Sequence, residues 1–460
     1  MAYDCGNGDG ATRPTTALRS HGHRHGDPKM EEARDPSKGV DSISSLPDEI
    51  LHIILSSIPT KFAIRTSTLS KRWRHVWSDT PSLSFNFARS RPEANSINKT
   101  LDRYTARKMM SFRLCARISH YISHIDRWIK FAMSRNAENM SLSYGFHVPD
   151  YFCINNSVKQ LDVALLYFYL EIPSRSVSVS WASLKMLSLR RCRLSRVCID
   201  KILCGCPILE SLKIYFCDDD LRVLDVRKSQ SLRTLEIDRN IRKPGPTQIV
   251  APQIHCLNLR NSQLPCTLVD VSSLTEASLY LCFSSTKKLT AEFLQDMFLK
   301  ILDKLQNVDK LTFGANFLEI LSLAELSGVP FPSFKVKDLT FKTLVYQCVV
   351  PGLVRLLQNS PELKKLTVRT RNPGTVPERQ IIDMYLELQG LNPVQCWNVE
   401  ARVTEKVASL MELMLKTTKI LEKMVVKLEG YLGKGHFEEL LGMVRVLSDN
   451  NHNVSIVLSR

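Results

Sequence analysis

Leu184-Lys185-Met186-Leu187-Ser188-Leu189-Arg190-Arg191-Cys192 returns as Leu209-Glu210-Ser211-Leu212-Lys213-Ile214-Tyr215-Phe216-Cys217, and from 184 to 209 the step is 25 residues. Both stretches read apolar-x-x-apolar-x-apolar. Their last two apolar residues alternate, as on a strand with one buried face. Working outward, the same spacing appears at Val158/Leu161/Val163, Leu221/Leu224/Val226, Leu232/Leu235/Ile237, Ile254/Leu257/Leu259 and Leu274/Ala277/Leu279. After a longer insert it resumes at Val308/Leu311/Phe313, Val336/Leu339/Phe341, Leu363/Leu366/Val368 and Leu421/Met424/Val426, and from 336 to 363 the step is 27 residues. Repeats of this length stack so that each unit buries its apolar face against the next. Three residues past the last apolar position stand Cys192, Cys217, Asn240, Ser262, Cys282 and Asn316. These small polar side chains can satisfy backbone groups where the chain leaves the strand and turns inward.

Helical spacing fills the intervals. Leu294, Met297, Phe298, Ile301, Leu302 and Leu305 share one face, as do Val403, Val407, Leu410, Met411 and Met414. Phe437, Leu440, Leu441 and Val444 predict a last helix before a closing strand over Val454–Leu458. The class that follows is α+β, with strands and helices alternating in a solenoid.

The segment 41–84 follows a different rule. Pro47 suits a helix start, and Asp48 and Glu49 lie near the positive end of the helix dipole. Ile50, Leu51, Ile54, Leu55 and Ile58 follow on one face, Pro59-Thr60 opens a second helix, and Ser70 can cap a third carrying Trp73, Val76 and Trp77. About 40 residues seldom fold alone. Three short helices cannot hide so many large apolar residues among themselves, so some of that surface meets either the rest of the chain or another protein.

Leu46-Pro47-Asp48-Glu49-Ile50-Leu51, Ile54-Leu55, Ile58-Pro59-Thr60-Lys61, Thr66-Ser67 and Leu69-Ser70-Lys71-Arg72-Trp73-Arg74 through Trp77 resemble an F-box of the plant F-box/leucine-rich-repeat family. Asp126-Arg127-Trp128-Ile129-Lys130-Phe131-Ala132 looks like that family's junction with the first repeat, and Cys396-Trp397 through Leu458 is similar to its FBD segment. The resemblance spans about residues 41 to 460. It implies a three-helix F-box followed by a curved α/β leucine-rich-repeat solenoid. The implied role is that of a non-catalytic adaptor in an SCF-type ubiquitin ligase, binding a Skp-type adaptor, through it a cullin, and a target protein through the repeats. Carried over, the adaptor-binding residues are Leu46, Pro47, Ile50, Leu51, Ile54, Leu55, Ile58, Leu69, Ser70, Trp73 and Trp77.

The expected organisation is a disordered tail (1–40), the F-box (41–84), a basic helical linker (85–135), the repeat body (136–371), and C-terminal repeats with an FBD-like segment, capping helix and strand (372–460). No catalytic set or cofactor motif stands out. Cys204-Gly205-Cys206 has no second pair at metal-finger spacing, and Asp218-Asp219-Asp220 reads as a solvated turn. His21, His23 and His25 lie in the tail without a Cys or acidic partner at ligand spacing. The 13 cysteines, with no secretory signal, point to reduced thiols in cytosol or nucleus, and no apolar run is long enough for a membrane span. Net charge is +16, from 62 basic against 46 acidic residues. Arg103, Arg107, Lys108, Arg113, Arg117, Arg127, Lys130 and Arg135 make the alternative a basic repeat protein that binds nucleic acid or another anion. No aromatic-plus-basic stacking pattern accompanies them, which makes nucleic acid the lesser expectation.

Overall fold

The computed structural model describes residues 43, 45–86, 94–116, 122–144, 150–165, 178–219, 222–238, 248–260, 266–280, 291–326, 328–343, 349–371, 403–429 and 433–459. The 1–40 tail with its histidines, Cys396-Trp397, Arg117, Asp220, Leu221, Asn240, Ser262 and Cys282 lie outside the described residues. The chain divides into two units, Met1–Leu46 and Pro47–Arg460. Of the first, the amide of Leu46 donates to the carbonyl of Ile43 at 3.2 Å.

The second unit opens with three short helices, α1 (Asp48–Ser56), α2 (Thr60–Arg65) and α3 (Trp73–Val76). A 14-stranded, wholly parallel sheet follows. Its strands are β1 (Ser82–Asn86), β2 (Ser111–Ala116), β3 (Asn139–Tyr144), β4 (Gln160–Leu165), β5 (Met186–Arg190), β7 (Ser211–Tyr215), β10 (Thr234–Asp238), β12 (Cys256–Arg260), β14 (Glu276–Tyr280), β15 (Lys310–Phe313), β16 (Asp338–Thr343), β17 (Lys365–Arg371), β18 (Lys423–Glu429) and β19 (Ser455–Ser459). They lie side by side in chain order, so the sheet is open and each turn of the solenoid adds one strand. Register follows the repeat: Leu187 stands between Leu161 and Leu212, and Leu366 between Leu339 and Met424. These rungs are buried and belong to one core running from Leu83 to Val444.

Helices return the chain across the other side: α4 (Ala94–Asp102), α5 (Ile122–Ser134), α6 (Arg196–Gly205), α7 (Ala291–Asp303), α8 (Ala315–Leu326), α9 (Val350–Gln358), α10 (Val403–Thr417) and α11 (Lys434–Asp449). Beyond β5 and β7 the short strands β6 (Arg193–Leu194) and β8 (Asp218–Asp219) pair with each other, and where the repeats are shorter, a second sheet of β9 (Val223–Asp225), β11 (Gln248–Val250) and β13 (Thr267–Asp270) takes the helices' place. Cys192 and Cys217 sit as expected at the turn beyond their strands. The Cys192 thiol donates to the Arg190 carbonyl at 3.4 Å, and that of Cys217 to the Leu189 carbonyl at 3.4 Å.

Two expectations are corrected. The 85–135 segment is no linker: β2 and α5 together make one turn of the solenoid, and β1 already pairs with β2. The repeat spacing is present there as Met109/Phe112/Leu114, all fully buried, and it recurs just beyond the segment as Ala137/Met140/Leu142. The surrounding charges hide it, because Arg113 points to solvent between two core residues. Leu221/Leu224/Val226 is no strand of the main sheet, since β9 belongs to the second one. It starts 12 residues after 209 and 11 before 232. That is half a repeat, so it forms the return leg of one turn, with Leu224 and Val226 buried in the far wall of the core.

Candidate functional site

Local chemistry sets the three N-terminal helices. Pro47 sits at the N-cap of α1 with φ −56° and ψ 151°, and its carbonyl accepts the amides of Ile50 and Leu51 at 3.1 and 3.2 Å. Pro59 does the same for α2, accepting from Phe62 and Ala63 at 2.8 and 3.2 Å. The hydroxyls of Thr66, Ser67 and Thr68 each donate to the carbonyl three residues earlier, at 2.7, 2.6 and 2.9 Å. Such side chains compete with helical backbone bonding, and here the helix tightens into a single 3₁₀ turn. The Trp73 amide donates to Ser70 Oγ at 3.4 Å as α3 begins, and Arg72 pairs with Asp48 at 2.6 Å, tying α1 to the start of α3.

The apolar residues then part into two sets. Leu51, Leu55, Trp73 and Trp77 are buried, with Ala63 and Val76, as the module's own core. Pro47 is exposed, and Leu46, Ile58 and Ser70 are half-buried. Ile50 keeps 42% of its surface in solvent, Ile53 63%, Ile54 43%, Phe62 50% and Leu69 68%. The sequence-derived set of adaptor-binding residues therefore spans an inside and an outside, and omits Ile53 and Phe62. A signal for Ile53 was available: Ile50, Ile53 and Ile54 stand at i, i+3 and i+4 and form one stripe of α1.

The module's far end is built into the solenoid. Thr60 Oγ1, itself buried, accepts the Ser84 amide of β1 at 2.7 Å. The Tyr104 hydroxyl donates to the Thr80 carbonyl at 2.7 Å, and burial pushes that phenol's pKa up. The Thr105 amide donates to the Ser78 carbonyl at 2.9 Å.

A second surface is the outward face of the main sheet. Across β2 to β7 it holds an open cavity of about 280 Å³ lined by Arg113, Gln160, Asp162, Met186, Arg190 and Tyr215, among others. Arg190 lies 3.6 Å from Asp162 and 4.9 Å over the Tyr215 ring.

Part of the basic stretch from Arg103 to Arg135 is engaged by the chain's own groups. Lys108 pairs with Glu138 at 2.6 Å, Arg127 pairs with Asp102 at 3.2 Å, and Lys130 lies 4.8 Å over the Tyr151 ring. Arg135 donates to the Ala106 carbonyl at 2.8 Å. Lys108 and Lys159, hydrogen-bonded to Glu138, hold its carboxyl below the usual range. Among the described residues no group of three His, Cys, Asp or Glu side chains is placed to hold a metal ion, and no helix is long and apolar enough to cross a membrane.

Comparison with known proteins bears on the same two regions. The F-box domain model matches residues 43–85, and the family described as FBD-associated F-box protein At5g56370, LRR repeats, matches residues 125–244. A putative F-box/LRR-repeat protein of Arabidopsis thaliana is 51% identical over 463 residues, covering 96% of this chain and 97% of that one. Two further Arabidopsis thaliana F-box/LRR-repeat proteins are 49% and 51% identical, covering 93% and 91% of this chain and 96% and 91% of their own lengths.

Proposed function

Given that the chain belongs to the plant F-box/LRR-repeat family, we propose that it is the substrate-recognition adaptor of an SCF-type ubiquitin ligase, docking a Skp-type adaptor with its F-box and a target protein with its repeats. The observation that carries this reading is the stripe Ile50, Ile53 and Ile54, with Phe62 and Leu69, left in solvent after the module has formed its own core and joined the solenoid. Large apolar side chains kept out on a 40-residue module are an interface signature. Exposed Pro47, Ile50, Ile54 and Leu69, with half-buried Leu46, Ile58 and Ser70, make the contact together with Ile53 and Phe62. Buried Leu51, Leu55, Trp73 and Trp77 act through them, by holding the helices in place.

The chain itself performs no bond-making step in this scheme. It works by proximity: a scaffold bound at one end keeps a charged ubiquitin carrier near a target bound at the other, and the raised effective concentration drives transfer. The bonds from Ser84 to Thr60 and from Tyr104 to Thr80 serve that purpose, because they fix the F-box to the sheet without a flexible joint.

The test is reconstitution. Full-length chain and a purified Skp-type adaptor, mixed and sized by gel filtration with light scattering, are expected to elute as a 1:1 complex. The variant L46A/P47A is expected to elute apart from the adaptor. Separate elution of the intact chain would overturn the proposal.

A further inference from the structure

Charge is unevenly spread over the outward face of the sheet. From β1 to β12 the described side chains on that face carry four cations (Arg113, Arg190, Lys213, Arg260) and three anions (Asp162, Glu236, Asp238). From β14 to β19 they carry six cations (Lys310, Lys342, Lys365, Arg369, Lys423, Lys427) and two anions (Glu276, Asp338). Those two anions are already engaged, Glu276 with Lys310 and Asp338 with Lys365 at 2.6 Å.

The register sharpens the imbalance. Lys342 stands opposite Arg369, and Arg369 opposite Lys427, so three cations share one rung. Lys365 and Lys423 share another. Neighbouring strands are roughly 4.8 Å apart. Like charges opposed across neighbouring strands cost stability. An anion laid across the rung removes that cost.

The rung continues toward β12 through Gly314 and Tyr280. A Cβ on Gly314 would come within 3.3 Å of Tyr280 Cδ1 and 3.4 Å of its Cα. The bare glycine leaves room for the Lys342 ammonium to lie 4.5 Å over the Tyr280 ring, while Arg260 lies 5.3 Å over the same ring. That aromatic surface is thus taken by cations. A groove for single-stranded nucleic acid needs aromatic faces free for base stacking, whereas a polypeptide anion needs only the charges.

We propose that the rung Lys342–Arg369–Lys427, with Lys423 beside it, docks an Asp- and Glu-rich segment of the target protein. This deepens the receptor reading above and rests on it.

The test uses the full-length chain and three fluorescent probes: a ten-residue peptide alternating Glu and Gly, its Gln counterpart, and a single-stranded oligonucleotide of the same formal charge. Fluorescence anisotropy is expected to show binding of the Glu peptide, weakening as salt rises, and none of the Gln peptide. K342Q/R369Q/K427Q is expected to weaken Glu-peptide binding about tenfold, since three half-buried charge contacts are lost. The charge-conserving K342R/R369K/K427R variant is expected to retain it. The melting temperature of the neutralised variant should hold or rise, because like-charge repulsion is relieved. If the triple variant melts early, K423Q/K427Q carries the same comparison on β18, one strand in from the sheet's edge. Glu-peptide affinity unchanged by neutralisation overturns the proposal, and so does oligonucleotide binding at the rung tighter than peptide binding. Adaptor capture is measured on the same variants. It is expected to be unchanged, so a failed receptor reading shows itself separately, as no adaptor capture by the unaltered chain.

Discussion

Replacing Ile53 and Ile54 with alanine is expected to weaken the Skp-type adaptor complex while leaving the fold intact. Complete burial of an isoleucine side chain is worth about 1.5–3 kcal/mol. With 63% and 43% of their surface still in solvent, the two side chains keep that share for a partner to cover. Allowing for the carbon that alanine retains, the double variant forfeits about 1.5–3 kcal/mol, or roughly a 10- to 150-fold rise in Kd. Folding stability should move by no more than about 0.5 kcal/mol, as is usual for exposed positions. Leu51→Ala separates the two effects. Leu51 is fully buried in the module's core, so its truncation leaves a cavity and costs about 2–5 kcal/mol of folding free energy. Isothermal titration calorimetry of purified chain and adaptor, paired with thermal melting of the chain alone, reads both quantities. The reasoning is refuted if I53A/I54A binds the adaptor with unchanged Kd, or if it lowers the melting temperature as much as L51A does.

Other consequences follow from the interior. Gly352 brings α9 against α8: a Cβ there would stand 2.4 Å from the Ser322 nitrogen and 2.6 Å from the Leu318 oxygen, both backbone, and the Gly352 amide donates to Ser322 Oγ at 2.9 Å. Gly352→Ala should therefore destabilise the chain by about 1–3 kcal/mol, read as a lower urea midpoint, and an unchanged midpoint would show that the two helices can part at little cost. Burial pushes the Cys153 thiol up to about 11 and that of Cys206 up to about 12. Unfolded thiols ionise near pH ~8.5, so above that pH the unfolded chain releases protons that the folded chain keeps. Stability is therefore full below about pH 8.5 and falls as pH rises toward the folded values, and urea midpoints that stay flat from pH 8 to 10.5 would contradict this. For the same reason iodoacetamide should alkylate exposed Cys204 well before buried Cys206 in the native protein, which peptide mass spectrometry can follow.

The F-box divides in a way that its motif does not announce. Ile50 and Leu51 are neighbours of like hydrophobicity, yet one is 42% exposed and the other fully buried. The first two solenoid turns are similarly concealed. Met109, Phe112 and Leu114 have the repeat's spacing, but a reading by composition sees Arg107, Lys108 and Arg113 first. Burial depends on which way a residue faces and not on the average of its neighbours.

What the sequence determined by itself is periodic: strand alternation, the repeat step, the thiol positions at Cys192 and Cys217, and the proline-led helix starts at Pro47 and Pro59. Each depends on residues close in the chain, whose relative directions the backbone geometry fixes. The lateral outcomes came from packing between distant segments. It sent the half-repeat at Leu224 to the far wall, bound Thr60 to the first strand through the Ser84 amide, and left Ile53 outside while Leu55 went in. Those outcomes depend on which distant segment packs against which face, and a one-dimensional spacing carries no such information.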